Sequence, residues 1–117
     1  MPHHIDRAID YIEFTASDLN AIKKFYGEVF QWKFQDWGEE YISFSDGRVD
    51  GGFRLGTTAP GTGMPLVILY TPNLEETEAR VRAAGSPITT AIFSFPGGRR
   101  FHFSDPAGNE LAVWSDK

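Results

Sequence analysis

The sequence predicts an α+β fold made of two tandem βαβββ modules, whose strands form a curved mixed sheet around a pocket. An amphipathic helix follows the first strand-like segment, and the same order of patterns then recurs in the second half of the chain. In that repeat, residues 18–19 match 73–74, and residues 44–47 match 103–108. Because each half is too short to bury much surface alone, we expect the two halves to combine into a single domain over 1–117.

The first module is expected over about 6–56. Residues 8–16 alternate between apolar and polar side chains as a strand does. The apolar stripe of 19–30 predicts a helix with an N-cap at Ser17 or Asp18. Three short strands are then expected at 33–36, 40–44 and 51–55.

A linker rich in Gly and Thr at 57–64 separates the modules. The second module is expected over about 65–116, with a helix that begins after Asn73 and ends at Gly85. Asn73 is the expected N-cap of this helix, and Glu76 is positioned to complete a capping box. Strands are expected at 65–70, 88–90, 100–103 and 110–114.

Composition excludes several classes of function. The 117 residues are 41% hydrophobic, which suits one packed domain and argues against disorder. The chain contains no cysteine, so disulfides and thiolate metal sites are excluded. A net charge of −5 without a basic stripe argues against nucleic-acid binding. With no apolar run of membrane-spanning length and no signal-like start at 1–6, we expect a cytoplasmic protein that does not associate with membranes.

Two phrases of the sequence carry a resemblance to a known family. The segment at 11–19 (YIEFTASDL), followed by 24–32 (KFYGEVFQW), is similar to the opening of a vicinal oxygen chelate protein. The segment at 103–109 (FSDPAGN) is similar to that family's turn before its last strand. The chain therefore resembles, over 6–116, the superfamily of glyoxalases, bleomycin resistance proteins and extradiol dioxygenases, nearest to enzymes related to lactoylglutathione lyase. Gln31 stands where the family has a glycine.

The resemblance also implies where metal-dependent members carry their ligands. Matching by motif assigns these positions to Tyr11, Gly51 or Gly52, Leu66 and Ala112. Leu, Ala and Gly side chains offer no donor atom, and a neutral phenol is a poor ligand for a divalent ion. We therefore expect neither a metal site nor another cofactor.

Candidate catalytic residues lie on the first strand. Glu13 shares a strand face with Tyr11, and a carboxylate beside aromatic rings can act as a general acid or base. The alternatives are a carboxylate that binds a cation, one that hydrogen-bonds a neighbour, and an exposed or satisfied strand carboxylate. The residues expected to bind a ligand in the pocket are Tyr70, Phe53, Glu110 and Trp114. Core packing is the alternative for Phe53 and Trp114, and a solvated strand start is the alternative for Glu110.

Other polar residues are assigned less specific roles. His102 lies between two phenylalanines and is expected to face away from both. No partner carboxylate for it is visible in the sequence, so a surface or satisfied histidine is favoured over a catalytic one. Arg99 and Arg100 follow a Pro-Gly-Gly turn and are expected in a solvated loop, with contact to an anionic ligand as the alternative.

Three functions remain open. The first is a metal-independent isomerase or lyase for a small carbonyl compound, in which Glu13 is the base and Tyr11 or Tyr70 donates to the enolate oxygen. The second is a metal-free module of the bleomycin-resistance type, which sequesters a cationic, planar compound. The third is a metal enzyme with Glu13, Asp50 and Glu110 as unusual ligands. The resemblance implies a small-molecule ligand and a homodimer.

Overall fold

The computed structural model describes residues 6, 9, 11–57 and 65–117. Its internal contacts divide the chain into two compact units, the first ending at Thr58 and the second beginning at Ala59. Unit one contains β1 (Tyr11–Ala16), α1 (Leu19–Val29), β2 (Lys33–Asp36), β3 (Tyr41–Ser45) and β4 (Asp50–Leu55). Unit two contains β5 (Val67–Tyr70), α2 (Leu74–Ala83), β6 (Ile88–Phe95), β7 (Gly98–Ser104) and β8 (Glu110–Ser115). The predicted α+β class and the tandem βαβββ order are confirmed, while the expected linker lies, apart from Thr57, outside the described residues.

Each unit folds its four strands into one mixed sheet. The strand orders are β1-β4-β3-β2 and β5-β8-β7-β6. The first strand of each unit runs parallel to the last, and the remaining pairs are antiparallel. Because side chains alternate along a strand, each sheet has one face covered by the helix of its own unit and one helix-free face.

The covered face of unit one is an aromatic core. Tyr26 of α1 stacks on Trp32 with ring centroids 4.4 Å apart, and Trp32 stacks in turn on Phe44 at 4.4 Å. Phe53 has no exposed surface and stacks on Phe14 at 5.0 Å. The sequence predicts Phe53 as a pocket residue, but its side chain lies in this core, facing the helix. The many phenylalanines of the sequence therefore serve packing here.

The covered face of unit two is built mainly from aliphatic and phenylalanine side chains. From the helix, Leu74 and Val81 are almost fully buried. The sheet contributes four side chains without exposed surface: Phe101, Phe103, Leu111 and Val113. Residues two apart on a strand share a face, so His102, Glu110 and Trp114 lie on the helix-free side.

The two helices begin differently. Asp18 caps α1 as predicted, because its Oδ1 accepts the backbone N–H three residues on at 3.0 Å. The predicted capping role of Asn73 is wrong, since its side chain makes no cap hydrogen bond. Hydroxyls fix this turn instead: the Thr71 Oγ1 accepts the Asn73 N–H at 3.2 Å, and the Thr77 Oγ1 donates to the Asn73 carbonyl at 2.9 Å. Gly85 has the positive φ of 86° expected just beyond a helix end. Neither helix of the described residues is long and apolar enough to cross a membrane.

The hairpin between β6 and β7 is longer than predicted. Strand β6 continues to Phe95, and β7 begins at Gly98, with Gly97 at a positive φ of 108° in the turn. Arg99 and Arg100 therefore lie on a strand, and the prediction of a solvated loop is wrong. Their side chains fall on opposite faces of the sheet because they are adjacent in the strand.

Candidate functional site

Three polar side chains form a hydrogen-bonded chain on the helix-free face of unit one. Tyr11 and Glu13 project from β1, and Tyr41 projects from β3. The phenol oxygens of Tyr11 and Tyr41 are 2.5 Å apart, and the Tyr41 hydroxyl donates to Glu13 Oε1 at 3.0 Å. The two residues that the sequence selects as catalytic are thus linked through a third that it does not select.

Gly52 makes room for this chain. It lies on β4 directly between Glu13 on β1 and Ser43 on β3. A Cβ atom at position 52 would lie 2.1 Å from the Tyr41 hydroxyl oxygen and 2.6 Å from the Tyr11 hydroxyl oxygen. The two phenols therefore occupy the space that any side chain here, including a metal ligand, would need.

The donor-to-acceptor direction of these hydrogen bonds depends on whether Glu13 carries a proton. Tyr41 carries one hydroxyl proton and donates it to the carboxylate, so Tyr11 must be the donor between the two phenols. Burial raises the pKa of Tyr41 far above its usual value, and its hydrogen bonds with Tyr11 and Glu13 raise the pKa further. Tyr41 is therefore a neutral relay. Once Glu13 is protonated, the chain can reverse, and the Tyr11 hydroxyl becomes free to donate outward.

A depression of about 550 Å³ within unit one is lined by two members of the chain, Tyr11 and Tyr41, but not by Glu13. Its wall includes the exposed rings of Tyr11 (45% exposed) and Trp37 (57% exposed). The Trp37 indole N–H donates to the Ser43 hydroxyl at 2.8 Å, which fixes the ring at the rim. Lys33 and Asp50 add one charge of each sign. Exposed aromatic rings with a few polar groups are typical of small-molecule sites.

Three of the predicted ligand-binding residues, Tyr70, Glu110 and Trp114, lie on the helix-free face of unit two. The rings of Tyr70 and Trp114 meet edge to face at 5.3 Å. The Tyr70 hydroxyl donates to Asp116 Oδ1 at 2.8 Å, and this hydrogen bond raises the pKa of Tyr70. Both hydroxyl protons are engaged, that of Tyr70 with Asp116 and that of Tyr11 with Tyr41, but of the two only Tyr11 lines the depression.

His102 has the carboxylate partner that the sequence does not reveal. Its Nδ1 lies 3.0 Å from Glu110 Oε2, and its side chain is only 13% exposed. The pairing follows from the β7–β8 hairpin, in which His102 opposes Ala112, two residues along the strand from Glu110. The two strands predicted at 100–103 and 110–114, joined by the turn at 105–108, form a hairpin. Pairing them would have predicted that His102 and Glu110 lie close together on one face.

The positions implied for metal ligands do not offer a donor set. Ala112 has no exposed surface, and a Cβ at Gly51 would lie 2.2 Å from the Ile12 carbonyl oxygen on the covered face. Leu66 has no donor atom, and the Tyr11 phenol is committed to Tyr41. The described residues include no group of three or more His, Asp or Glu side chains suited to hold a metal ion. The alternative ligand set of Glu13, Asp50 and Glu110 therefore gains no support.

Comparison with known proteins identifies the family. Residues 8–113 match the model of the glyoxalase/bleomycin resistance protein/dioxygenase superfamily. The chain belongs to this superfamily. The resemblance read from its two sequence phrases is thereby confirmed. No curated protein matches the sequence.

Several solved structures share the fold. A lactoylglutathione lyase from Agrobacterium tumefaciens aligns at 21% identity with a TM-score of 0.71, covering 93% of both chains. The fosfomycin resistance protein FosX from Listeria monocytogenes aligns at 15% identity with a TM-score of 0.82, covering 95% of this chain and 92% of its own. TioX from Micromonospora sp. ML1 aligns at 17% identity with a TM-score of 0.73, covering 94% and 99%. At these identities the likeness shows the fold alone.

Proposed function

We propose that the protein is a metal-independent isomerase or lyase that moves a proton within a small carbonyl compound. The observation that carries the proposal is the hydrogen-bonded chain of Tyr11, Tyr41 and Glu13 beside an aromatic-walled depression. Membership of a superfamily that includes small-molecule enzymes supports the substrate class, as does the fold shared with a lactoylglutathione lyase.

Proton abstraction begins at Glu13. Its Oε1 accepts from Tyr41, which leaves Oε2 available to a substrate. Oε2 removes a proton from the carbon next to the carbonyl. The C–H bond breaks, an O–H bond forms on Glu13, and the electron pair moves onto the carbonyl oxygen as an enolate. A positioned general base of this kind contributes about 10²- to 10⁴-fold to a rate.

The same transfer reverses the chain. The Glu13 carboxyl group rotates so that its new O–H points towards Tyr41 and donates to it, Tyr41 donates to Tyr11, and Tyr11 donates to the enolate oxygen. The oxyanion donor thus becomes available as the negative charge develops, which is when its stabilisation is useful. Return of the proton to another carbon completes an isomerisation, and loss of a leaving group from the β carbon completes a lyase reaction.

A second candidate function is sequestration of a cationic, planar compound. It is favoured by the exposed rings of Trp37 and Tyr11, which suit cation–π contacts. In the resting state both phenol protons are directed towards Glu13, so the chain presents acceptor atoms to a ligand. A cation would stabilise this direction of the chain, and no reaction need follow.

Deuterium exchange separates the two candidates. The protein is incubated in D₂O with small α-hydroxy ketones and β,γ-unsaturated ketones, and NMR follows deuterium uptake at carbon. We expect exchange above the buffer rate, reduced about 100-fold or more by Glu13→Gln. Glu28→Gln, which removes an exposed carboxylate from α1, is the matched control and keeps the wild-type rate. Exchange at the buffer rate throughout, together with thermal stabilisation by planar cations, would favour sequestration.

Two further features belong to the proposal. The reaction uses no metal, so protein purified without chelators should carry no stoichiometric divalent ion by elemental analysis, and one ion per chain would contradict this. The protein forms a homodimer, for which Leu55 and Leu66, both more than a third exposed, supply apolar surface. Light scattering on a sizing column tests the dimer, and a monomer mass would contradict it.

A further inference from the structure

Arg100 presents an unpaired guanidinium on the helix-free face of unit two. Its guanidinium carbon lies 5.3 Å from the ring centre of Phe93 and 5.6 Å from that of Phe95. Within the part of the chain that the structure describes, no carboxylate pairs with it, and its Nε is buried without a hydrogen-bond partner. A buried donor without a partner is costly, so an anion that reached this guanidinium would recover free energy.

Arg99, the preceding residue of β7, differs in that its guanidinium has hydrogen-bond partners. Arg99 lies on the opposite face, where its guanidinium pairs with Glu75 and donates to the Lys117 carbonyl. The Glu75 hydrogen bond raises the pKa of Arg99. The two arginines thus have the same charge and adjacent positions, but only Arg100 lacks a charged partner.

His102 adds a second unsatisfied atom to the face of Arg100. Its Nε2 is buried without a hydrogen-bond partner among the described residues. A neutral imidazole that donates its Nδ1–H to Glu110 presents a lone pair at Nε2, which accepts from a hydroxyl. Arg100 and His102 are same-face neighbours on β7, with Cα atoms about 6.6 Å apart, so one small ligand can reach both side chains.

Apolar side chains surround the two polar residues. The Phe93 ring lies 6.0 Å from the His102 ring, contacts Arg100 as well, and is 36% exposed. Phe93 is therefore a partly exposed ring that neighbours both polar residues. Close by in the sheet, Ile68 is 43% exposed and Tyr70 is 52% exposed, so the apolar body of a ligand has surface to pack on.

From these contacts we infer a second ligand site on unit two, which binds a small hydroxylated aromatic carboxylate. Arg100 holds the carboxylate, and His102, oriented by Glu110, accepts the hydroxyl. The guanidinium suits a carboxylate because its N–H groups bind both oxygens. The site uses none of the residues of the proton-transfer chain, so either proposal can fail without the other.

Titration with three related compounds tests this site. The probes are 4-hydroxybenzoate, 4-hydroxybenzamide and benzoate, and amide NMR spectra of the wild-type protein report affinity and location. We expect 4-hydroxybenzoate to bind most tightly, the neutral amide at least tenfold more weakly, and shifts to cluster on β6, β7 and β8. Equal binding of the acid and the amide, or no binding of the acid at about 10 mM, would overturn the proposal; this comparison needs no variant.

Matched arginine variants then assign the carboxylate contact. Arg100→Gln should weaken the binding of 4-hydroxybenzoate at least tenfold. Arg99→Gln removes the same charge from the other face and should leave the affinity within twofold of the wild type. In His102→Gln the affinity for 4-hydroxybenzoate should fall to the affinity for benzoate. Wild-type affinity in a folded Arg100→Gln variant, or equal losses in both arginine variants, would reject the site.

Discussion

Gly52→Ala is expected to break the proton-transfer chain without altering any of its three side chains. The added Cβ would lie 2.1 Å from the Tyr41 hydroxyl oxygen, a distance that must grow by about 1.3 Å to reach the 3.4 Å of an ordinary contact. The hydrogen bonds of 2.5 Å and 3.0 Å around this oxygen cannot both survive such a displacement.

The expected cost in stability is modest. The atoms in the way belong to phenol ends, and Tyr11 is 45% exposed, so the rings can move towards solvent. We expect a loss of about 1 kcal/mol in the free energy of unfolding, the low end for an overpacked site. Gly51→Ala differs, because its Cβ would lie 2.2 Å from the backbone oxygen of Ile12 and close to the buried Phe44 ring. There we expect about 3 kcal/mol.

The assay follows Tyr41 itself. Ring ¹³Cζ labelling of tyrosine, assigned with Tyr41→Phe, reports by NMR whether this phenol is ionised as the pH rises. In the wild type the pKa of Tyr41 is raised, so its phenol should stay neutral above pH 10.0, where a free tyrosine ionises. In Gly52→Ala the phenol moves towards solvent and its hydrogen bonds with Tyr11 and Glu13 are lost, so the pKa of Tyr41 should fall towards its ordinary value.

Gly27→Ala is the matched control. A Cβ at position 27 has nothing within 4 Å, and the residue lies inside α1. This variant should gain about 0.5–1 kcal/mol from helix propensity and leave the Tyr41 titration unchanged. If Gly52→Ala also left Tyr41 with its raised pKa, the packing of the phenols over Gly52 would not be what holds the chain together.

Three further outcomes test the surrounding structure. Gln31 has a φ of 61°, so Gln31→Gly should raise the free energy of unfolding by about 1 kcal/mol in urea titrations; a loss would contradict the strain. Asp105 is buried and its Oδ1 accepts the N–H groups of Ala107 and Asn109 at 2.8 Å and 2.9 Å, so Asp105→Ala should cost about 2–4 kcal/mol, and a cost below about 1 would refute the turn. Arg99 lowers the pKa of Glu75, so this pair stabilises the protein above the ordinary pKa of 4.5 and the effect is lost as the pH falls through the lowered pKa. Glu75→Gln should flatten that part of the melting-temperature profile, and an unchanged profile would contradict the pairing.

Local patterns in the sequence were sufficient to predict much of the fold. The stripe at three- and four-residue spacing identified α1, and strand alternation put Tyr11 and Glu13 on one face. These features depend on neighbours close in sequence. Asn73 shows the limit even locally, because it precedes α2 as predicted but its side chain makes no cap hydrogen bond, while Thr71 and Thr77 bind its backbone.

The centre of the site depends on pairing between distant strands. Tyr41 meets Glu13 only because β3 and β1 both flank β4, and the space for it exists only because position 52 is a glycine. Gly52 is visible in the sequence, but its role can be recognised only when the register of β4 with β1 and β3 is known. Phe53 illustrates the same difficulty, since periodicity shows that it alternates with Gly52 but not which of the two faces the helix covers.

The most direct test of the Tyr11–Tyr41–Glu13 relay is an NMR titration that observes all three groups at once. Glu13 is labelled at ¹³Cδ and the tyrosines at ¹³Cζ, and the pH is lowered until Glu13 takes up its proton. A chain that reverses predicts that the Tyr41 and Tyr11 signals shift with the same midpoint as Glu13. Protonation of Glu13 with no change at either phenol would contradict the relay and, with it, the proposed mechanism.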